Sequence, residues 1–316
     1  MGNPQSEIQN PKSRATVRVG HSPDPDDAFM FYALTFGKFD TAPEVYEHRL
    51  VDIETLNHAA ERGQYDVTAL SFHAYAYVAD RYVLLPHGAS FGVNYGPLLV
   101  ARDAAPQDTA GAALHSFDAA RTWLAGKTIA VPGERTSAFL ALHLFVQGTD
   151  PVTSAGPVLK TVTVPFDQII PRVAAGEFDA GLIIHEGQLT YHEAASGSLK
   201  KVVDLGEWWN ALTLLPLPLG GNGIRKDLGP ERIRRISRHL HDSIAWGLAH
   251  RDEALGYALQ YARNMGRDKA DRFVGMYVND YALDYGTQGR AAVRLLLDVG
   301  YLVRLIPTLV QPEWSE

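Results

Sequence analysis

The chain has 316 residues, no cysteine, 46% hydrophobic and 21% charged residues, and a formal net charge of -7. That length exceeds what one small core uses and predicts two lobes. The acidic balance argues against a nucleic-acid partner, and the missing thiols exclude disulfides, thiolate metal sites and cysteine nucleophiles.

The N-terminal residues 1–15 are polar and lack an apolar h-region, so they read as a disordered leader on a cytoplasmic protein. From there strands alternate with helices, the pattern of a mostly parallel sheet. A strand over 16–20 is broken by Ser22-Pro23-Asp24-Pro25-Asp26-Asp27, where Asp26 or Asp27 is expected to cap a helix running from 29 to 36. Two further units follow, a strand at 45–51 with a helix at 54–61 and a strand at 66–70 with a helix at 73–80. A loose stretch at 102–118, rich in Ala, Gly, Asp and Gln, interrupts the series. It resumes with a strand at 127–131, a helix at 136–146, a strand at 158–164, a helix at 167–175 and a strand at 180–184. The proline-containing segment 214–221 reads as an extended crossing, because two prolines forbid a helix interior. Beyond about 230 the pattern is helical. Arg232, Arg234, Arg235 and Arg238 alternate there with Ile233, Ile236, Leu240 and Ile244, as on the solvated face of an amphipathic helix.

The whole predicts an α/β protein of two lobes with a cleft between them. Lobe 1 comprises 16–101 and 222–316, lobe 2 comprises 102–221, and the helical C-terminus covers lobe 1. In such sheets ligands bind outside the carboxyl ends of the strands, so the residues at those ends are the site candidates. Ser22 lies in the first turn, Ser71 ends the third strand, and Thr136, Ser137 and Ala138 open a helix after Gly133. Small hydroxyl residues at a helix start suit a carboxylate or an oxyanion, since the first N–H groups of a helix have no partner within it. Asn57, early in a helix, is ambiguous by itself. His185 follows the apolar run Ala180-Gly181-Leu182-Ile183-Ile184, where an imidazole can move a proton near neutral pH, although a packing histidine would fit there as well. Adjacent strand residues face opposite ways, which argues against Glu186 orienting His185. No P-loop, zinc-binding histidine pair, dinucleotide fingerprint or Ser-His-Asp elbow occurs, so neither metal nor cofactor is expected.

Taken in order, several segments resemble the 1,4-dihydroxy-6-naphthoate synthase family of the futalosine route to menaquinone. They are S-P-D-P-D-D-A-F-M-F-Y-A-L at 22–34, D-I-E-T-L-N at 52–57, L-S-F-H-A-Y at 70–75, V-P-G-E-R-T-S-A-F at 131–139, A-G-L-I-I-H-E at 180–186 and Y-V-N-D-Y-A-L-D-Y-G at 277–286. The resemblance implies a periplasmic-binding-protein-like fold of type 2. It also implies a cofactor-free lyase that turns cyclic dehypoxanthine futalosine into 1,4-dihydroxy-6-naphthoate. It gives His185 the part of general base and makes Asn57, Ser71, Ser137 and Ala138 ligand contacts. The family's first turn usually reads S-P-C-P-N-D-T-F, so Asp24, Asp26 and Ala28 add two carboxylates and remove a hydroxyl. Its threonine at 137 is serine here.

Two other functions compete. A non-catalytic solute-binding protein of the same fold leaves His185 without a purpose. A sister lyase such as chorismate dehydratase, acting on a smaller dianion, calls for cationic contacts where these motifs are acidic. The expected partner is a small-molecule substrate, not nucleic acid or a membrane, and a homodimer is left open.

Overall fold

The computed structural model describes residues 15–102, 115–149, 159–263 and 265–315. Residues 1–14 of the expected leader and the core of the loose stretch at 102–118 therefore lie outside the described residues, and Ala15 already belongs to the first strand. The chain first lays down β1 (Ala15–His21), β2 (Glu44–Leu50), β3 (Val67–Ser71), β4 (Tyr82–Leu84) and β5 (Ser90–Gly92). It continues with β6 (Leu98–Ala101), β7 (Thr128–Val131), β8 (Lys160–Thr163), β9 (Ala180–Ile183) and β10 (Lys200–Asp204), then returns as β11 (Leu217–Arg225).

These strands form two sheets with one logic. The first has the order β2-β1-β3-β11-β4, with β5 also on β11, and the second has the order β10-β6-β9-β7-β8. In each, three parallel strands are joined by an antiparallel strand contributed from the far side of a crossing. The expectation of a mixed two-lobed α/β protein is met, but the sheets are not mostly parallel: among the described residues four strand pairings are parallel and five antiparallel, because β6 and β11 run against every neighbour they pair with.

The exchange of strands places the crossings at 93–97 and 214–216, since β6 pairs in the second sheet and β11 in the first. The boundaries expected from the sequence, with 98–101 in lobe 1 and 217–221 in lobe 2, therefore shift by one strand at each crossing. Prolines mark where chain direction changes, but pairing partners decide sheet membership. At the first crossing Gly206 sits directly against the Tyr95 carbonyl, and a Cβ there would overlap it.

Period-two alternation sorts the strand side chains into separate cores. Tyr82, Leu84, Leu99, Ala101, Ile129, Val131 and Leu182 face a large shared core with Trp208, Trp209 and Phe145. Their neighbours Val83 and Leu85 turn to a second core under helices Pro25–Thr35 and Pro230–Ala249. Leu98, Val100 and Ile183 face a third, on the outer side of the second sheet. The C-terminal helices pack on the first lobe as expected, and the tail then runs extended to bridge Leu84 through Trp314.

Two local expectations change. The helix read at 73–80 is only Phe72–Tyr75, followed by turns. The arginine row is not merely solvated. Arg232 and Arg235 both reach Glu44, whose side chain is fully buried, at 3.0 and 2.6 Å. Burial would push that carboxyl up, but the two guanidiniums outweigh it and hold Glu44 below its usual range.

Candidate active site between the lobes

One cavity opens between the two sheets at the carboxyl ends of their strands. Ser22, Asp26, Asp27, Ser71, Thr136, Ser137, Ala138 and His185 line it together with Gln188 and Tyr277. Of the catalytic and substrate-binding candidates named from the sequence, Asn57 alone is not among the lining residues, and Asp24 and Glu186 also stand behind the wall.

His185 enters from the second lobe. β9 ends at Ile183, and the chain then turns with His185 at φ 54°, in the left-handed region that non-glycine residues seldom occupy. Such a conformation costs on the order of 1–3 kcal/mol and is retained where the surroundings over-determine it. Here they do. The Nδ1 of His185 lies 3.2 Å from Oδ2 of Asp24, and Phe166 meets the ring edge-on at 5.2 Å. Glu186 does not orient the ring, although the two residues lie in a turn beyond β9 and not in the strand from which that was argued. It pairs instead with Arg263 at 3.1 Å, and Arg263 also lies 3.5 Å from the other oxygen of Asp24.

The first turn differs from the expected capped turn. Asp24 occupies the N-cap position without capping, and Asp27 folds back to accept from the backbone N–H of Ser22 at 2.7 Å and its hydroxyl at 2.9 Å. Asp26 is buried and faces the cavity, with Oδ1 lacking a protein partner. Burial, reinforced by Asp27 and Asp24, pushes its carboxyl well above the ordinary range. Burial likewise raises Asp27 against the opposing bonds from Ser22. Pro25 starts the helix, and all three acids are buried without capping it.

Ser71 ends β3 and is held from behind. Asn57, completely buried, accepts from the Ser71 N–H at 2.9 Å and donates to its Oγ at 3.1 Å. Ser71 has no capping bond of its own, so its hydroxyl proton remains available to a ligand in the cavity. Asn57 thus positions the serine.

In the second lobe, Thr136 caps helix Ser137–Gln147 by accepting from Phe139 N–H, and donates to the Gly133 carbonyl. Its hydroxyl is spent on the turn. Ser137 accepts from the His73 N–H of the other lobe at 3.2 Å. Just before the helix start read as an anion site, the backbone is engaged by protein: Glu54 of the first lobe accepts from the Arg135 N–H at 3.0 Å. A Cβ at Gly133 would overlap the Glu54 carboxylate, so any larger residue there would push the carboxylate from this position. Arg135 itself bridges to Glu61 at 3.0 Å and lies 4.0 Å over the Tyr77 ring. His73 is a packing residue whose burial pushes its pKa down to about 4.

A second set of cross-lobe contacts closes the other side. Tyr277 donates to Gln188 at 3.1 Å, and Lys269 pairs with Glu193. Gln188 and Tyr277 line the cavity without being among the sequence candidates, although Tyr277 opens the segment Y-V-N-D-Y-A-L-D-Y-G at 277–286. Among the described residues no group of three or more His, Asp or Glu is arranged to hold a metal ion, and no helix is long and apolar enough to cross a membrane.

Comparison with known proteins places the chain. A sequence profile described as menaquinone biosynthesis matches residues 17–302. The chain belongs to that family. It is 41% identical over 280 residues to a 1,4-dihydroxy-6-naphthoate synthase of Thermus thermophilus, covering 89% of this chain and 92% of the relative. The enzyme of the same name from Streptomyces coelicolor is 35% identical over 297 residues, covering 94% and 97%. Among solved structures, a protein from Archaeoglobus fulgidus superposes with TM-score 0.80 at 44% identity, covering 92% of this chain and 98% of that one. An alkanesulfonate-binding protein from Xanthomonas axonopodis, bound to MOPS, superposes with TM-score 0.68 at 14% identity, covering 95% and 97%, and shows the shared periplasmic-binding-protein fold.

Proposed function

We propose that this family member is a cofactor-free lyase of the cytoplasm, converting cyclic dehypoxanthine futalosine to 1,4-dihydroxy-6-naphthoate with His185 as general base. The observation that carries the reading is the left-handed His185 at the cavity wall, facing hydroxyl and amide donors from both lobes. The names of the relatives give the product, 1,4-dihydroxy-6-naphthoate, and the substrate is the one that the family resemblance implies. Cleavage driven by aromatisation needs a proton removed at one point and developing oxyanion charge held at another. A neutral imidazole performs the first task, and a placed base contributes about 10²–10⁴-fold. The Ser71 hydroxyl and the helix start at Ser137–Ala138 suit the second. Lobe closure then excludes water.

The test is incubation of the purified chain with cyclic dehypoxanthine futalosine, with the naphthoate product followed by chromatography. Product formation supports the reading. Tight binding without turnover would point to a solute-binding role, and loss of water from chorismate to the sister lyase.

A further inference from the structure

His185 and Asp24 reach each other from different lobes. His185 follows β9 of the second sheet, whereas Asp24 stands before helix Pro25–Thr35 of the first, and the two are 3.2 Å apart through Nδ1 and Oδ2. The Asp24 side chain is only 2% exposed. Its second oxygen, Oδ1, has no hydrogen bond and faces Arg263 at 3.5 Å. A buried carboxylate of this kind is tolerated when cations compensate it. The groups available are the Arg263 guanidinium and the imidazole of His185. Phe166 fixes the arrangement from the second lobe, meeting His185 edge-on at 5.2 Å and carrying Arg263 over its face at 4.8 Å.

We propose that Asp24 is a positioning residue for His185, which accepts the Nδ1 proton and so leaves Nε2 as the basic nitrogen toward the ligand. The inference rests on the reading of His185 as base and deepens it. Since partner and base ride on separate lobes, the pair is assembled by closure. An imidazole on an open second lobe lacks the carboxylate that selects its tautomer and stabilises the imidazolium formed by proton abstraction. Arg263 couples the same event to Glu186, so a single cation bridges Asp24 of the first lobe and the residue following His185. Other titratable groups facing this cluster are Asp26 and Asp27 from the first turn and Tyr277 from helix Arg267–Tyr277.

The test uses the full chain with Asp24→Ala, Asp24→Asn and His185→Gln variants. ¹⁵N imidazole resonances are recorded with substrate or product bound, and the His185 signal is assigned by its loss in His185→Gln. Wild type is expected to show a protonated Nδ1, and Asp24→Ala a shift to the Nε2–H form. Both Asp24 variants should lose about 10²-fold or more in kcat with little change in KM, as when a base loses its orienting carboxylate. The acid limb of the pH–rate profile should move to lower pH in Asp24→Asn, because the imidazolium loses a neighbouring negative charge. Asp24→Asn keeps the side-chain shape, so it answers the question if the alanine variant does not fold. An unchanged tautomer and an unmoved acid limb, with His185→Gln inactive, would overturn the role of Asp24 and leave the base standing. Turnover persisting in His185→Gln would overturn the base and this inference together.

Discussion

The two lobes repeat one strand order, yet their equivalent first turns are chemically opposite. In the first lobe the turn Ser22–Asp27 gathers three carboxylates into the protein, and burial, aided by mutual repulsion, lifts Asp26 and Asp27 above their ordinary range. In the second lobe the corresponding turn carries no acid facing the cavity. Its threonine satisfies the helix cap, and its Arg135 N–H donates to Glu54 from the opposite lobe. The two turns therefore differ in kind. The first gathers carboxyl groups beside Ser22 and Ser71, while the second lobe brings helix-start amides, Ser137 and the imidazole of His185. A fold repeated in both halves guarantees only that strand ends converge, and the residues in the turns decide what converges there.

The sharpest way to break this contrast is at Gly133. Gly133→Ala puts a methyl group where the Glu54 carboxylate lies. Displacing Glu54 should keep the lobes from closing fully, and misplacement of this order lowers kcat/KM by about 10²-fold. Solution scattering of the ligand-bound variant should show a larger radius of gyration than wild type. Asn57→Ala tests the support behind Ser71. Both its hydrogen bonds to that serine are buried, so thermal unfolding should show a loss of about 1–3 kcal/mol. Its kcat/KM should fall about tenfold as Ser71 loses its fixed orientation, the loss of roughly one hydrogen bond's worth of transition-state stabilisation.

Asp26→Asn probes the acidic turn through pH. Because burial raises the carboxyl in the folded chain, the native state keeps a proton that the unfolded chain has already released. Stability from this group is present at low pH and is lost as pH rises toward the raised folded value. Asparagine carries no such penalty. The Tm of Asp26→Asn relative to wild type should therefore increase between about pH 5 and about pH 8. A difference independent of pH would show that Asp26 is not held protonated. The smallest effect is expected for Thr136→Ala, where loss of the cap should cost about 1 kcal/mol in chemical denaturation.

Much of this was legible in the residues. Strand–helix alternation is written in period-two apolar runs and turn residues, and it located the two lobes, the carboxyl-end turns and His185. What could not be read were contacts that exist only after the lobes meet. Glu54 reaching the Arg135 N–H and Asp24 reaching His185 join segments far apart in sequence, and no local pattern encodes either. Short antiparallel strands such as β5 and β6 also escaped notice, because three or four buried residues carry too little periodicity to distinguish a strand from a linker. The first turn was misread for a related reason. An Asp after a Pro has high capping propensity, and here tertiary burial overrode it.

The most direct test of the account is a single-turnover comparison of wild type and His185→Gln at saturating cyclic dehypoxanthine futalosine, with binding measured separately by calorimetry. The account predicts that the variant binds within a few-fold of wild type but forms naphthoate at least about 10²-fold more slowly. A His185→Gln variant that turns over at the wild-type rate would contradict it.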